Sequence, residues 1–397
     1  MFQDTKLLPP DPILGLSKLY QDDARSEKID LGVGVYRDLS GATPVMKAVA
    51  RAEANVMAAQ KTKAYTPVDG APGFGPAILN LVFGEDSPVL SSGRAAAVQT
   101  PGGCGALRLA GELLNSQGAE SLTLGEPTWP NHIPLLSAAG LKLNSIPYYD
   151  RDANAVDFDA FKAGAAKLGP KDVLLVHGCC HNPTGADLST AQIDEIAAMA
   201  NAQGFLPLID TAYHGFAKDL DADVYMIRKF SAALPEVLVT YSCSKNFGLY
   251  RERTGALIII GETADSALAV KSQATSLARR NYSMPPAHGG AIVAEILSNP
   301  ELTAMWKDEL AEMAERVRGN RRLLAKTAQD FGLHNRLSFI AEQAGMFSLM
   351  PLNEDQIRIM REDHGVYVVG GGRINLCGVN ESNVEHLIRA YKAATEA

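Results

Sequence analysis

The sequence predicts an α/β protein: a mainly parallel sheet covered by helices on both faces, with a smaller α+β domain. Two observations lead to this prediction. Short apolar runs, typical of strands that are buried on both faces, recur through the middle of the chain, and helical patterns separate most of them. The chain has 397 residues, which is enough for two or three domains.

Six apolar runs are predicted to be strands of this sheet. They are AAAVQT (95–100), SLTLGEP (121–127), DVLLVHG (172–178), FLPLID (205–210), VLVTYS (237–242) and GALIII (255–260). One helix is predicted after the first run, in GALRLAGELLNSQG, and another between the third and fourth, in STAQIDEIAAMANAQG. Ser189 or Thr190 would cap the second helix, and Gly204 would end it. Strands and helices in alternation favour a parallel sheet.

The C-terminal part of the chain predicts the second domain. A long helix over 303–331 would carry one apolar stripe and could bridge two domains. The stripe consists of Met305 or Trp306, Leu310, Met313, Val317, Leu324 and Phe331. The segments MFSLM and VYVVGGGRINLCG and a last helix from Asn383 are then long enough for a small mixed domain. The N-terminal segment LGVGVYRD is expected to join it.

Composition narrows the classes of partner and compartment. The net charge is −8 without a basic block, so small molecules are favoured over nucleic acid or an anionic membrane surface. No apolar run approaches the roughly 20 residues of a membrane helix, and the N-terminus lacks a signal-peptide pattern. The five cysteines show no spacing of a disulfide framework. We therefore expect a cytoplasmic protein with reduced, mostly buried thiols.

Polar residues collect where the predicted strands end, which is where open parallel sheets bind ligands. PGGCG follows the first strand, and its free N–H groups and helix dipole would suit a phosphate, although glycines in such a turn can also serve close packing alone. HGCCHNPTG follows the third strand. The remaining candidates are Asp210 and Tyr213 after the fourth, and Ser242, Ser244, Lys245 and Arg253 after the fifth.

The segment HGCCH also raises the possibility of a metal site, because histidine and cysteine are common zinc ligands. Adjacent Cys179 and Cys180 in an extended segment would point to opposite sides, however, and no C-x-x-C or H-x-x-x-H spacing is present. The sequence therefore predicts no metal.

Lys245 follows a buried strand, where an isolated ammonium is costly to desolvate. It could pair with an acid. Alternatively, its surroundings could keep the amine partly deprotonated, so that it reacts with a carbonyl to form a Schiff base. A phosphate site, a buried acid, a phenol, an amide and a lysine on adjacent strand ends together match the needs of pyridoxal phosphate.

Six motifs carry a family resemblance through almost the whole chain. SCSKNFGLYRERTG, HGCCHNPTG, DTAYHGF, PTWPNH, RRNYSMPPAHGG and GGRINLCG resemble, in the family's order, the class I (fold-type I) aspartate and aromatic amino acid aminotransferases. The resemblance implies a seven-stranded sheet in a large cofactor-binding domain (45–312), a small domain (12–44 and 313–397) and an N-terminal arm (1–11). It also implies pyridoxal 5′-phosphate as cofactor and a homodimer with shared active sites.

The resemblance assigns roles around the cofactor ring. Lys245 would hold the cofactor covalently and act as general base. Asp210 would keep the pyridine nitrogen protonated, so that the ring can accept the electrons left by the departing alpha proton. Tyr213 and Asn182 would hydrogen-bond the 3′ oxygen, and Trp129 would stack on the ring.

The phosphate group would have its own set of contacts. The resemblance implies contacts from Gly103, Cys104, Ser242 and Arg253, whose planar fork suits bidentate binding. The partner subunit's Tyr65 would complete the site.

Two arginines would recognise the substrate. Arg373 would bind the alpha-carboxylate with Asn182 beside it, and the partner subunit's Arg279 would reach a side-chain carboxylate. Arg280, its neighbour, is expected to make a surface contact. Gly34 would border the substrate.

Three positions bear on substrate choice. Cys104 stands where the family usually has Thr or Ser. Ala64 and Met284 stand where strictly aspartate-specific members tend to carry Asn, and all three residues make the surroundings less polar. An aromatic side chain would then leave fewer donors unpaired. We expect phenylalanine, tyrosine and tryptophan to be used alongside aspartate and glutamate, with 2-oxoglutarate as acceptor. The alternatives are a strict aspartate aminotransferase, a lyase or decarboxylase of the same fold, or a nucleotide-binding protein that uses the GGCG turn.

Overall fold

The structure is a computed structural model that describes residues 2–8 and 12–396. The predicted arm, residues 1–11, is therefore described only at 2–8, which form neither helix nor strand, and its other positions lie outside the described residues. The helices are α1 (Pro12–Asp22), α2 (Lys47–Ala59), α3 (Phe74–Phe83), α4 (Pro88–Ser91), α5 (Gly102–Ser116), α6 (His132–Ser137), α7 (Phe158–Ala165), α8 (Thr190–Gln203), α9 (Tyr225–Ala233), α10 (Ala264–Asn281), α11 (Ala287–Ser298), α12 (Pro300–Asp330), α13 (His334–Leu337), α14 (Glu354–His364) and α15 (Val384–Glu396).

The strands form one large sheet and three small ones. They are β1 (Ile29–Asp30), β2 (Ala95–Pro101), β3 (Ser121–Glu126), β4 (Leu143–Pro147), β5 (Tyr149–Asp150), β6 (Ala155–Val156), β7 (Asp172–His177), β8 (Leu206–Thr211), β9 (Val237–Ser242), β10 (Thr254–Ile260), β11 (Phe347–Leu349), β12 (Val366–Tyr367) and β13 (Arg373–Asn375). The large sheet has seven strands in the order β2-β10-β9-β8-β7-β3-β4. The predicted α/β class and mainly parallel, seven-stranded sheet are confirmed.

Strand β10 is the exception to the parallel arrangement, because it runs antiparallel to both β2 and β9. The amino end of β10 therefore lies beside the carboxyl ends of the parallel strands. This orientation places Arg253, directly before β10, beside the residues that follow β2, β7, β8 and β9.

All six predicted apolar runs are strands, but the seventh strand, β4, carries no such run. It lies at the edge of the sheet and pairs only with β3. Its residues are half-buried or exposed, so its sequence, LNSIP, lacks the continuous apolar pattern of a central strand.

The predicted helix caps and the long helix are present. Ser189, rather than Thr190, caps α8 by accepting a hydrogen bond from the Gln192 N–H, and Gly204 ends the helix in the left-handed conformation. In α12 the predicted stripe is largely buried, and the Trp306 indole N–H donates to the Asn246 carbonyl at 2.7 Å. Asn320 donates to the Leu376 carbonyl at 2.9 Å. The helix thus contacts both the segment after Lys245 and the C-terminal region.

The two chain ends meet in a small parallel sheet. Ile29 pairs with Val366, and beyond this pair the Asn375 N–H donates to the Leu31 carbonyl at 2.8 Å. Arg321, fully buried on α12, donates to several carbonyls of this region, among them that of Phe347 at 2.6 Å. These contacts fix the segment that carries Arg373. They also support the proposed small domain (12–44 and 313–397), whose limits remain a prediction.

Within the described residues, no helix combines the length and the apolar character that crossing a membrane requires. All five cysteines are free; Cys104 is partly exposed, and the other four are buried.

Candidate active site

A cavity of about 220 Å³ lies at the carboxyl ends of the parallel strands of the large sheet. Its walls contain every predicted site residue except two, Tyr65 and Arg279. The predicted residues that line it are Gly34, Gly103, Cys104, Trp129, Asn182, Asp210, Tyr213, Ser242, Lys245, Arg253 and Arg373. The strand ends therefore converge as the sequence predicts.

Lys245 stands in the cavity wall three residues after β9. Its Nζ lies 4.8 Å from the centre of the Tyr213 ring. Removal from water lowers the pKa of the Lys245 ammonium, and the nearby positive charges of Arg253 and Arg373 act in the same direction, although the Asp210 charge opposes them. A lysine with a lowered pKa has a larger fraction of reactive free amine at neutral pH.

Asp210, in β8, is buried and held by two side chains. The Thr240 hydroxyl donates to its Oδ1 at 2.8 Å, and His132 Nε2 lies 3.2 Å from its Oδ2. Burial by itself raises the pKa of Asp210, but the hydrogen bonds from His132 and Thr240 and the electrostatic effect of the imidazoles of His132 and His177 bring the pKa below its usual value. The carboxylate therefore remains ionised and can pair with a cation in the cavity.

Sequence reasoning missed His132, Thr240 and a third residue, Thr128, whose hydroxyl lies 2.7 Å from His132 Nδ1. An imidazole protonated at Nε2 satisfies both of its neighbours, since it donates to Asp210 and accepts from Thr128. His132 lies in the quoted motif PTWPNH, three positions after Trp129. The position of His132 in this motif, three residues after Trp129, was the sequence signal from which it could have been found.

A metal ion is possible here on distance alone, because His132, His177 and Asp210 can place one ligand atom each within 4.8 Å of the others. The Thr240 and His132 contacts already use both Asp210 oxygens. The extended backbone that we expected for HGCCH is wrong. Cys180 has φ of 52°, so the segment is not extended at this residue, and the Cys180 thiol donates to the Tyr213 carbonyl at 3.9 Å.

The junction of β2 and α5 forms a corner with Arg253 and Ser242, here called the glycine corner, that is suited to an anion. Gly102 has φ of 69°, and a Cβ placed there would come within 2.6 Å of Arg253 Nη2. A Cβ at Gly103 would lie 3.2 Å from the Cβ of Ser242. The first N–H groups of the 15-residue helix α5 have no intrahelical partner and carry the positive end of its dipole. Glycine thus lets the helix start approach a guanidinium and a hydroxyl closely.

Arg373 and Asn182 line the cavity, and each has a buried polar atom without a hydrogen-bond partner among the described residues. Arg373 is only 4 % exposed, and its Nε has no hydrogen-bond partner among the described residues; the Oδ1 of Asn182 has none either. The Arg373 Nη2 donates to the Gly32 carbonyl at 2.8 Å. Its guanidinium lies 4.4 Å over the ring of Phe347, which the sequence analysis placed only in the segment MFSLM of the small mixed domain. A buried guanidinium with a free N–H edge is suited to a ligand carboxylate.

Trp129 and Gly34 form the other walls. Trp129 makes an edge contact with His132, with ring centres 5.2 Å apart. Gly34 packs against Phe347, whose Cζ would be 3.1 Å from a Cβ at position 34. A larger residue at 34 would push this ring.

Tyr65 and Arg279 lie outside the cavity of the single chain. Tyr65 is 91 % exposed. Arg279 is exposed in the last turn of α10 and donates to the Ser283 hydroxyl. Both were predicted to act in the partner subunit's site, and that prediction stays open.

The family profile for aminotransferases of class I and II matches residues 26–390. The chain belongs to this family. An aspartate aminotransferase of Salmonella typhi is 43 % identical over 394 residues, covering 99 % of this chain and 100 % of that one. An aromatic-amino-acid aminotransferase of Pseudomonas aeruginosa is 42 % identical over 390 residues, covering 98 % of each chain. This aminotransferase is also similar in structure to an aromatic-amino-acid aminotransferase of Burkholderia pseudomallei covalently bound to pyridoxal phosphate, with a TM-score of 0.96, 39 % identity and 99 % coverage of both chains.

This aminotransferase is accordingly a transaminase, and its cofactor is pyridoxal phosphate. The alternative of a nucleotide-binding protein is wrong. The residues present fit the cofactor: the open glycine corner beside Arg253 suits a phosphate, the ionised Asp210 suits a protonated ring nitrogen, and the buried amine of Lys245 suits an aldehyde.

Proposed function

We propose that this aminotransferase moves the amino group of an aromatic amino acid or of aspartate to 2-oxoglutarate, giving a 2-oxo acid and glutamate in a ping-pong cycle. One observation carries the proposal: Arg373, a buried guanidinium whose Nε has no hydrogen-bond partner among the described residues, lines the cavity that also contains Lys245 and Asp210. Amino acids and 2-oxo acids share the alpha-carboxylate that such a guanidinium binds bidentately.

The catalytic roles follow from the positions of the side chains. When bound, pyridoxal phosphate accepts the electron pair that remains after the alpha proton leaves the substrate. Lys245 would hold the cofactor through its aldehyde carbon, and its amine, once displaced by the substrate, would move the proton at the substrate alpha carbon. Asp210 would hold the proton on the ring nitrogen. Tyr213 and Asn182 would hydrogen-bond the 3′ oxygen, and Trp129 would cover the ring face.

The phosphate contacts are proposed for the glycine corner. Gly103 and Cys104 would contribute the N–H groups at the start of α5, Ser242 its hydroxyl, and Arg253 its guanidinium. The partner subunit's Tyr65 would close this corner. Its 91 % exposure in the single chain supports a role at a subunit contact.

Substrate binding would divide between the two subunits. Arg373 fixes the alpha-carboxylate, which orients the alpha C–H bond for proton transfer, and Gly34 borders the substrate. The partner subunit's Arg279 would bind the side-chain carboxylate of aspartate, glutamate or 2-oxoglutarate. The homodimer is therefore part of the proposal.

Dual specificity rests on three less polar positions. Cys104 lines the cavity, whereas Ala64 and Met284 lie outside it, next to Tyr65 and close to Arg279 along the chain. The Met284 sulfur accepts a hydrogen bond from the Thr66 hydroxyl at 3.7 Å, so the segment 64–66 and Met284 form one patch. We infer that this patch enters the partner's site together with Tyr65 and Arg279.

Steady-state kinetics test the substrate proposal. With 2-oxoglutarate as acceptor, aspartate and phenylalanine are expected to differ in kcat/KM by less than about 10⁴-fold, since larger ratios usually need polar groups that the wrong substrate leaves unpaired. Ala64→Asn combined with Met284→Asn should shift the ratio toward aspartate. A kcat/KM for aspartate more than about 10⁴-fold above that for phenylalanine, in the unmodified enzyme, would identify a strict aspartate aminotransferase instead. Release of carbon dioxide would identify a decarboxylase.

Complementation tests the shared site. Lys245→Ala removes the amine of one site, and Arg279→Ala removes the arginine given to the other. Each variant alone should be nearly inactive with aspartate and 2-oxoglutarate. Co-expression should restore about a quarter of the activity, because half of randomly assembled C2 dimers are mixed and each contains one complete site. No recovery in isolated mixed dimers would show that Arg279 does not act across the interface.

We further propose the domain limits 12–44 and 313–397 against 45–312, and a cytoplasmic location. The five free cysteines support a reducing compartment.

A further inference from the structure

The segment Gly32–Arg37, here called the strap, runs beside the cavity. Gly34 lines the cavity and contacts Phe347, the ring that carries the Arg373 guanidinium. Any displacement of the strap therefore changes a wall of the substrate site. What holds it in place bears directly on substrate binding.

On one side the strap is bound by the C-terminal region. The side-chain amide of Asn375 donates to two strap carbonyls, Val33 at 2.5 Å and Val35 at 2.9 Å. Arg373 donates to the Gly32 carbonyl, and Arg316 Nε donates to that of Arg37 at 3.0 Å. These bonds attach the strap to the segments that carry Arg373.

On the other side the strap is bound by a tyrosine of the lysine segment. The Tyr36 N–H donates to the Tyr250 hydroxyl at 2.9 Å. Among the hydrogen bonds that the strap makes within residues 2–8 and 12–396, this is the one that reaches the proposed large domain, 45–312. Tyr250 lines the cavity five residues after Lys245.

The same tyrosine also contacts Arg253, at the glycine corner. The Tyr250 carbonyl accepts a hydrogen bond from Arg253 Nη1 at 2.9 Å. Arg253 is held in the left-handed region, with φ of 51°, a conformation that non-glycine residues adopt only when the surroundings impose it. One residue thus connects the guanidinium at the glycine corner with the backbone beside the substrate.

We propose that Tyr250 is a positioning residue that ties the strap to Arg253, so that a phosphate bound at the glycine corner also orders the substrate-side wall at Gly34. This inference depends on the proposed roles of Arg253 and Gly34. Tyr250 itself performs no proton transfer; it acts through the Tyr36 N–H. Its loss should therefore affect substrate binding more than the chemical step.

The variant Tyr250→Phe tests this proposal, because it removes the hydroxyl and leaves the backbone carbonyl for Arg253. The Tyr36 N–H loses its acceptor, a change expected to raise the KM for aspartate about tenfold, while kcat changes less than about twofold. Tyr148→Phe is the matched control. It removes the hydroxyl of another tyrosine, one that donates to the Ala186 carbonyl at 2.8 Å instead of accepting from the strap, and should leave KM unchanged.

Hydrogen–deuterium exchange at the Tyr36 amide gives a readout independent of activity. In the unmodified protein this amide should exchange more slowly with pyridoxal phosphate bound than in the cofactor-free protein. In Tyr250→Phe it should exchange rapidly in both forms, and in Tyr148→Phe it should behave as in the unmodified protein. Exchange of the Asn375 amide, which donates to the Leu31 carbonyl directly before the strap, should change little.

Two results would overturn the proposal. One is an unchanged KM in Tyr250→Phe together with an unchanged cofactor effect on the Tyr36 amide. The other is an equal loss of kcat and kcat/KM, which would place the hydroxyl in the chemical step. Absorbance of the bound cofactor is recorded for every variant, so that a failure of cofactor binding, and with it of the proposed function, is seen separately.

Discussion

Replacing Lys245 by alanine is expected to lower kcat by about 10⁴-fold or more, because one substitution removes both the covalent attachment and the general base. The amine lies in a cavity where removal from water lowers its pKa, and no second lysine lines that cavity within the described residues. The cofactor should still bind through its phosphate at the glycine corner, but it should dissociate more readily. Single-turnover absorbance with aspartate measures the loss of the chemical step.

A matched control distinguishes this loss from a general effect of removing a lysine. Lys162→Ala breaks a surface ion pair with Glu195, 2.5 Å long, and should leave kcat unchanged. Reduction of the holoenzyme with borohydride, followed by peptide mapping, should place the pyridoxyl label on Lys245. A label on another lysine would remove the basis of the proposed mechanism.

Substitution of Asp210 by asparagine should have the second-largest effect, a fall in kcat on the order of 10² to 10⁴-fold. The variant keeps the shape of the side chain, but it replaces one acceptor oxygen by an NH2 donor and removes the charge proposed to pair with the ring nitrogen. Losing one partner of a buried ion pair costs about 3–5 kcal/mol. The pKa of Asp210 lies below its usual value, so the ionised form is present throughout the neutral range. Steady-state kcat with aspartate and 2-oxoglutarate measures the effect.

Two comparisons make the Asp210 result specific. Asp210→Glu retains a carboxylate and should recover part of the activity. A cofactor analogue methylated at the ring nitrogen carries its positive charge permanently, so it should narrow the gap between Asp210→Asn and the unmodified enzyme. If Asp210→Asn keeps more than about a tenth of wild-type kcat, the carboxylate does not control the ring's electron acceptance at the level assumed here.

Much of the central sheet was predictable because its strands are local features of the sequence. A strand buried on both faces must be apolar along its whole length, so runs such as VLVTYS predict their own state. The edge strand Leu143–Pro147 escaped this reasoning because half of its surface faces outward. The bend at Cys180 escaped it as well, because a left-handed residue is set by its tertiary contacts and leaves no clear local pattern.

The sequence alone determined which chemical groups are present and in what order: a lysine, an acid, a phenol, an amide, a glycine turn and Arg253 after predicted strands, and Arg373 in the motif GGRINLCG. Only the tertiary structure decided which of them meet. His132 reaches Asp210 across 78 positions of the chain, and Arg253 reaches the glycine corner because β10 runs antiparallel. Tyr250 reaches Tyr36 across 214 positions. Strand state is set by neighbours along the chain, whereas these contacts depend on strand order and packing between distant segments.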